Sequence, residues 1–131
     1  MLIRYLQELN ELVDYPYFEL YWQEEGRIPL FIKLNGQNIG FTLLNQHFIH
    51  PTFQAARAIA EFYIDPSFRQ KGLGAFAAQQ IFAQFAEKWE VKTAIGNKSA
   101  QAFWRNTIGH YSNHRFSEIV IEEDVIFTFE K

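Results

Sequence analysis

The sequence contains no cysteine, which removes disulfide scaffolds, cysteine-ligated zinc, iron–sulfur clusters and thiol nucleophiles together. Proline is scarce, at four residues, and the seven glycines do not gather into a linker. Nothing therefore divides the 131 residues, and a single domain over 1–131 is expected. No run of about 18 apolar residues occurs, so no membrane-spanning helix is expected. The opening Met1–Asp14 lacks the basic, apolar, small-residue order of a secretion signal, and the expected location is cytoplasmic. Cationic excess is also lacking. Twelve Lys and Arg against fifteen Asp and Glu give a formal net charge of −3, without the footprint for nucleic acid or an anionic membrane surface. His47, His50 and His114 are scattered without metal-ligand spacing, so no metal site is expected.

What is plentiful is aromatic surface. Aromatics make up 18% of residues, and at roughly 150–250 Å² buried per ring they can fill a core in a short chain. Leu2, Tyr5, Leu6, Leu9, Leu12 and Val13 form a stripe at helical spacing, so the chain is expected to open in a helix ended by Pro16. A second short helix is expected over 17–25. Strands are expected at Pro29–Leu34 and Asn38–Leu44, joined by the hairpin dipeptide Asn35-Gly36, and at Ala58–Ile64. After a glycine-containing loop, a helix to about Lys88 is expected, with Ala78, Ile81, Phe82, Phe85 and Trp89 as its buried face. Val91–Ile95 reads as a strand, Lys98–Thr107 as a helix, and Phe116–Ile121 and Val125–Phe129 as strands. The order predicts a mixed α/β (α+β) fold, a central sheet flanked by helices.

The segment that carries chemistry is Arg69-x-x-Gly72-x-Gly74-Ala75, which follows Asp65-Pro66 and opens a helix. Glycines there permit positive φ and close approach of a ligand to the backbone. A helix N-terminus offers unpaired N–H groups and partial positive charge, which suits a phosphate or pyrophosphate, with Arg69 and Lys71 beside it. A turn that simply holds two glycines is the plainer alternative. A Walker loop is excluded, because Gly74 is followed by Ala75-Phe76 rather than Lys and Ser or Thr. Gly72-x-Gly74-x-x-Ala77 fits a dinucleotide fingerprint only superficially. The expected strand does not run directly into Gly72, and the next strand ends in Ile95-Gly96-Asn97 without the required acid.

Two blocks together carry a resemblance. Tyr63-Ile64-Asp65-Pro66 followed by Arg69-x-x-Gly72-x-Gly74 is similar to the acyl-CoA-binding core of the GNAT (Gcn5-related N-acetyltransferase) superfamily. Asn97-x-x-Ala100-x-x-Phe103-Trp104, with Gly109 after it, resembles that family's second block. The resemblance implies a mostly antiparallel sheet whose fourth and fifth strands splay apart around the pantetheine arm of acetyl-CoA, the acyl donor. The family's first strand is expected to be missing, because the opening reads as helix. Backbone of Phe62, Tyr63 and Ile64 would lie along the arm, and amides of Gln70, Lys71, Gly72, Leu73, Gly74 and Ala75 would hold the pyrophosphate. Asn97 would bond the arm, and Phe103 and Trp104 would line its thiol end.

The implied reaction is direct attack of an amine, of a small molecule or a protein amino group, on the thioester. Glu61 is the candidate base, against the alternative of an outward strand residue making a surface pair. Tyr111, Tyr63 and His110 are candidate acids, because Trp104 stands where the family often has tyrosine and an indole cannot act as an acid. Trp22 and the aromatics from Tyr15 to Phe18 are candidate walls for the acceptor. Glu19, Glu24, Glu25 and the turn Glu122-Glu123-Asp124 are candidates to attract a cationic amine. A non-catalytic acyl-CoA-binding module is the alternative function. A third is an interaction protein whose truncated sheet edge pairs with a second copy to give a homodimer.

Overall fold

A computed structural model describes residues 2–5 and 26–131. Strands β1 (Leu2–Tyr5), β2 (Ile28–Leu34), β3 (Gln37–Asn45) and β4 (Arg57–Ile64) come first. A one-turn 3-10 helix (Pro66–Phe68) and helix α1 (Leu73–Phe85) follow, then β5 (Lys88–Ala94), helix α2 (Lys98–Ser112), β6 (Phe116–Ile121) and β7 (Asp124–Glu130). The seven strands form one sheet in the order β1-β2-β3-β4-β5-β7-β6. Every neighbouring pair is antiparallel except β4 and β5. The mixed sheet with helices is the expected fold class.

The hairpin between β2 and β3 turns on Asn35 and Gly36, both with positive φ, as a two-residue turn with the twist of the flanking strands requires. Two expectations at the N-terminus are overturned. Leu2–Tyr5 is a strand rather than the start of a helix, and the first strand is present rather than missing. It lies antiparallel to β2, from Leu2↔Lys33 to Tyr5↔Leu30. Leu-Ile-Arg-Tyr is too short to display an alternation, while β2 offers it an unpaired backbone edge. The truncated edge that suggested pairing with a second copy is thus filled. The expected helix beyond Tyr5, the second helix over 17–25, and the candidates Tyr15–Phe18, Glu19, Trp22, Glu24 and Glu25 lie outside the described residues.

Helices α1 and α2 cover the same face of the sheet. Phe82 of α1 is fully buried there, with ring centroids 5.2 Å from Trp89, 5.3 Å from Tyr111 and 4.8 Å from Phe129. Trp89 belongs to β5 and not to the helix face where its spacing put it. The helix ends at Phe85, Ala86 is extended, and the chain returns beneath it. The Trp89 indole N–H then donates to the carbonyls of Phe82 (3.2 Å) and Ala86 (3.1 Å), satisfying acceptors at the helix end. No helix among the described residues is long and apolar enough to cross a membrane.

Candidate active site

The site starts from an incomplete seam. β4 and β5 pair over three positions only, Arg57↔Trp89, Ala58↔Glu90 and Ile59↔Val91. Beyond them β4 continues to Ile64 against β3 alone, and β5 continues to Ala94 against β7 alone. The Asp65 N–H donates to Ile39 O at 2.6 Å, which sets the alternation along the end of β4. Odd-numbered residues there bond to β3, so the backbone groups of Phe62 and Ile64 face the open seam. Tyr63 belongs to the other set. Its backbone is registered with Phe41, and only its two neighbours are turned to a ligand in the seam. β3 can lie this close because residue 40 is glycine: a Cβ there would drive into the Tyr63 carbonyl oxygen.

The mouth of the seam leads to the loop before α1. Asp65 caps the 3-10 turn by accepting from the Ser67 N–H (2.9 Å) and hydroxyl (2.6 Å). Those bonds, the hydroxyl first, hold its carboxyl below the ordinary aspartate range, with Arg69 a minor contributor. Gln70 (φ 61°) and Gly72 (φ 76°) both adopt left-handed backbone around Lys71. This makes a concave run of amides of the kind that binds anions. The first amide satisfied inside the helix is that of Phe76, onto Gly72 O at 3.1 Å. Among the described residues, none of the amides of Gln70, Lys71, Gly72, Leu73, Gly74 and Ala75 has a hydrogen-bond acceptor. Gly72 caps α1 with no side-chain bond, so no serine or aspartate competes for them. Gly74 packs against Phe103 and Ile64, closing the helix onto the strand end.

Helix α2 supplies the inner wall. Asn97 caps it, its Oδ1 accepting from the Ala100 N–H (3.1 Å) and the Ser99 hydroxyl (3.2 Å). This oxygen has a structural task, and only the side-chain N–H₂ is left for a ligand. Phe103 stacks on Phe62 at 5.8 Å, beside the open seam. Trp104 packs deeper, edge-on to Phe62 at 5.2 Å and only 6% exposed, and its indole N–H makes no hydrogen bond among the described residues.

Two residues that sequence reasoning missed hold these pieces. Buried Gln101 donates to the carbonyls of Ala94 (3.1 Å) and Ile95 (2.7 Å), fastening the end of β5 to α2. Glu90, 1% exposed, accepts from the amides of Ile49 (2.8 Å) and His50 (3.1 Å) and orders the loop between β3 and β4. A carboxylate set between Trp89 and Val91 was the signal available for Glu90; Gln101 had none.

The proposed proton carriers separate. Glu61 and Tyr63 project from the face opposite α1 and α2, since Phe62 between them packs on α2. Packing around the Glu61 carboxyl raises its pKa above the ordinary value, although the side chain as a whole reaches solvent. Tyr111 is not brought to the site. It sits seven residues along α2 beyond Trp104, about 10 Å at the helical rise. There it packs on Phe82 and Phe129 with the Lys131 ammonium 4.4 Å from its ring centroid. Desolvation raises its phenol pKa, which weakens it further as an acid. The helical periodicity that buries Trp104 carries Tyr111 to the closed end of the sheet, and exposed His110 precedes it there. Among the remaining histidines, His50 accepts from the amides of Thr52 and Phe53, and His47 meets Arg27 at 2.8 Å. The turn Glu122-Glu123-Asp124 does lie near the mouth, with Asp124 registered against Ala94 and Glu123 O accepting from the Ile95 N–H.

A parallel pair that opens toward an amide-lined helix start has the shape and donors that suit an extended, anion-bearing ligand laid edge-on. The sequence of residues 2–109 matches the acetyltransferase (GNAT) family, and the chain belongs to that family. An acetyltransferase from Thermus thermophilus is similar in fold, with TM-score 0.68 and 13% identity over 86% of this chain and 70% of that one. A GNAT family acetyltransferase from Elizabethkingia anophelis with acetyl-CoA bound has TM-score 0.61 and 14% identity over 99% and 97% of the two chains. A spermidine N-acetyltransferase chimera of the Vibrio cholerae enzyme has TM-score 0.65 and 15% identity over 98% and 95%. No curated protein sequence matches the chain.

Proposed function

We propose that this protein transfers the acetyl group of acetyl-CoA to an amine by direct attack. The observation that carries the reading is the half-open seam, whose strand edge, free of strand pairing beyond Ile59, leads to six amides without acceptors among the described residues. The edge at Phe62 and the Ile64 N–H fits the amide-bearing pantetheine arm as an added strand, the Ile64 carbonyl already accepting from the Arg69 Nε at 2.7 Å. The amides of Gln70 to Ala75 fit the pyrophosphate. An N–H of the β4 edge polarises the thioester carbonyl, and negative charge grows on that oxygen as the amine nitrogen bonds to carbon. The carbon–sulfur bond then breaks and the electron pair leaves with the thiolate. The amine proton passes to Glu61, directly or through water, and the thiolate takes its proton from solvent, because Trp104 has no acidic proton to give.

The test is a thermal melt with and without acetyl-CoA, in wild type and Gly72→Glu. A ligand at about 100 times its dissociation constant adds about 2.7 kcal/mol, a shift of several degrees at this size. The shift is expected in wild type and lost in the variant. No shift at millimolar acetyl-CoA in a cooperatively melting protein overturns the reading.

Burial of Trp104 and the remoteness of Tyr111 favour one second reading, a non-catalytic acyl-CoA-binding module. Glu61→Gln separates the two: lost transfer with unchanged acetyl-CoA affinity excludes the module.

A further inference from the structure

The last strand of the sheet is β6, and among the described residues no strand pairs with its outer edge. The Ile95 N–H donates to Glu123 O at 2.8 Å, which fixes the alternation along β7. Odd-numbered residues of β7 bond to β5, so Asp124, Ile126 and Thr128 bond to Ile121, Ile119 and Ser117. The backbone groups of Phe116, Glu118 and Val120 therefore point outward, with no described strand to meet them. The devices that usually blunt such an edge are missing. β6 has no proline and no lysine. Its register with β7 runs unbroken from Phe116↔Phe129 to Ile121↔Asp124, without a bulge. Its one charged side chain, Glu118, is drawn back onto α2, where it accepts from Arg105 Nε at 3.0 Å. Val120 is left 57% exposed.

The two ends of this edge carry opposite charge. Arg115 stands just before the strand, exposed, and its guanidinium has no partner among the described residues. Glu122 and Glu123 stand just after it, exposed in the turn. A strand with a cation at its start and anions at its end complements a copy of itself only when the copy runs antiparallel. We infer that β6 pairs with the β6 of a second copy of this chain about a two-fold axis, continuing the sheet across a homodimer. An axis normal to the sheet keeps like faces together, so residues of like parity oppose. Of the two central registers that match outward-pointing groups, one sets Glu118 against itself and opposes two carboxylates. The other sets Glu118 against the partner's Val120 and centres on Ile119 opposite the partner's Ile119. That central pair has the close spacing of a non-hydrogen-bonded position, which suits apolar side chains. The same register brings Arg115 to the partner's Glu123 at both ends. Each Arg115 then stands beside the turn whose Glu123 carbonyl holds the end of the partner's β5. One strand and its flanking charges make a small interface, so a reversible, concentration-dependent dimer is expected. None of this depends on the acetyl-transfer reading.

The test is sedimentation equilibrium of the full chain across the micromolar range, where a monomer–dimer equilibrium is expected. Val120→Pro removes an N–H that bonds to nothing within one copy, so the fold should survive and the dimer should be lost. Arg115→Glu and Glu123→Arg each set like charges against one another at both ends, and each is expected to weaken the dimer about tenfold. Mixed in equal amounts, these two variants oppose unlike charges at both ends of a heterodimer, which should regain the wild-type affinity. Circular dichroism and a cooperative melt show that each variant folds. A monomer at every concentration, an assembly larger than a dimer, or a dimer that survives Val120→Pro overturns the inference. So do charge variants that dimerise as wild type does, or that fail to recover on mixing, since another face or another register then holds the copies.

Discussion

β5 has two edges, and they are treated differently. Toward β7 it pairs at seven consecutive positions, from Lys88↔Glu130 to Ala94↔Asp124. Toward β4 it pairs at three and then parts company. The closed edge sits over Phe82, Trp89 and Phe129, packed ring against ring. The open edge sits between a stacked pair of half-buried rings, Phe62 and Phe103, and an amide-lined loop. One strand thus anchors the fold along one side and leaves the backbone opposite its other side available to bind. Substitutions at the two edges should fail in different ways.

The largest effect is expected at the open edge and should leave the fold alone. Glu61→Gln is expected to lower acetyl transfer by about 10²–10⁴-fold, the usual worth of a general base, with an unchanged melting temperature. Because burial raises the Glu61 pKa above 4.5, the active carboxylate is lost as pH falls through that raised value. The acid limb of the wild-type kcat/KM profile should therefore lie above pH 4.5 and vanish in the variant. At the closed edge the pattern reverses. Phe82→Ala leaves a cavity among four aromatic rings, and denaturant melts should show a loss of about 3–5 kcal/mol. Acetyl-CoA should still bind whatever fraction remains folded. Gly72→Glu falls between, removing the ligand-induced stabilisation of about 2.7 kcal/mol while costing the free protein about 1–2 kcal/mol for its left-handed backbone. The smallest effect is expected at Asn97→Ala. Loss of the cap should cost about 1 kcal/mol in a chemical melt and weaken acetyl-CoA binding only modestly, since its oxygen is already committed to the helix.

The closed edge was only partly legible in the sequence. Val91 and the last two strands follow from apolar runs. Trp89 was misplaced because the strand returns under the helix it leaves, and its ring falls where the next helical turn would have put one. β1 was misread because four residues cannot show a period, and the stripe they begin fits a helix. The open edge was legible where a short motif demands a backbone geometry, as at Gly72 and the strand end before Asp65. It was illegible where a side chain chooses between two faces. Arg69 reads as a free cation beside the phosphate loop until the Ile64 carbonyl and the Tyr63 ring are seen to hold it against the strand end. Tyr111 reads as a nearby hydroxyl until the length of α2 is counted.

Gly40 carries a consequence for the seam it never touches. Behind β4 there is no room for even one methyl group at this position, because the Tyr63 carbonyl occupies it. An alanine there would act as a shim driven in from the back, pushing the strand toward β5 and narrowing the slot at Phe62 and Ile64. The gauge of the opening is thus set by the thickness of bare backbone, two strands away from the helices that frame it.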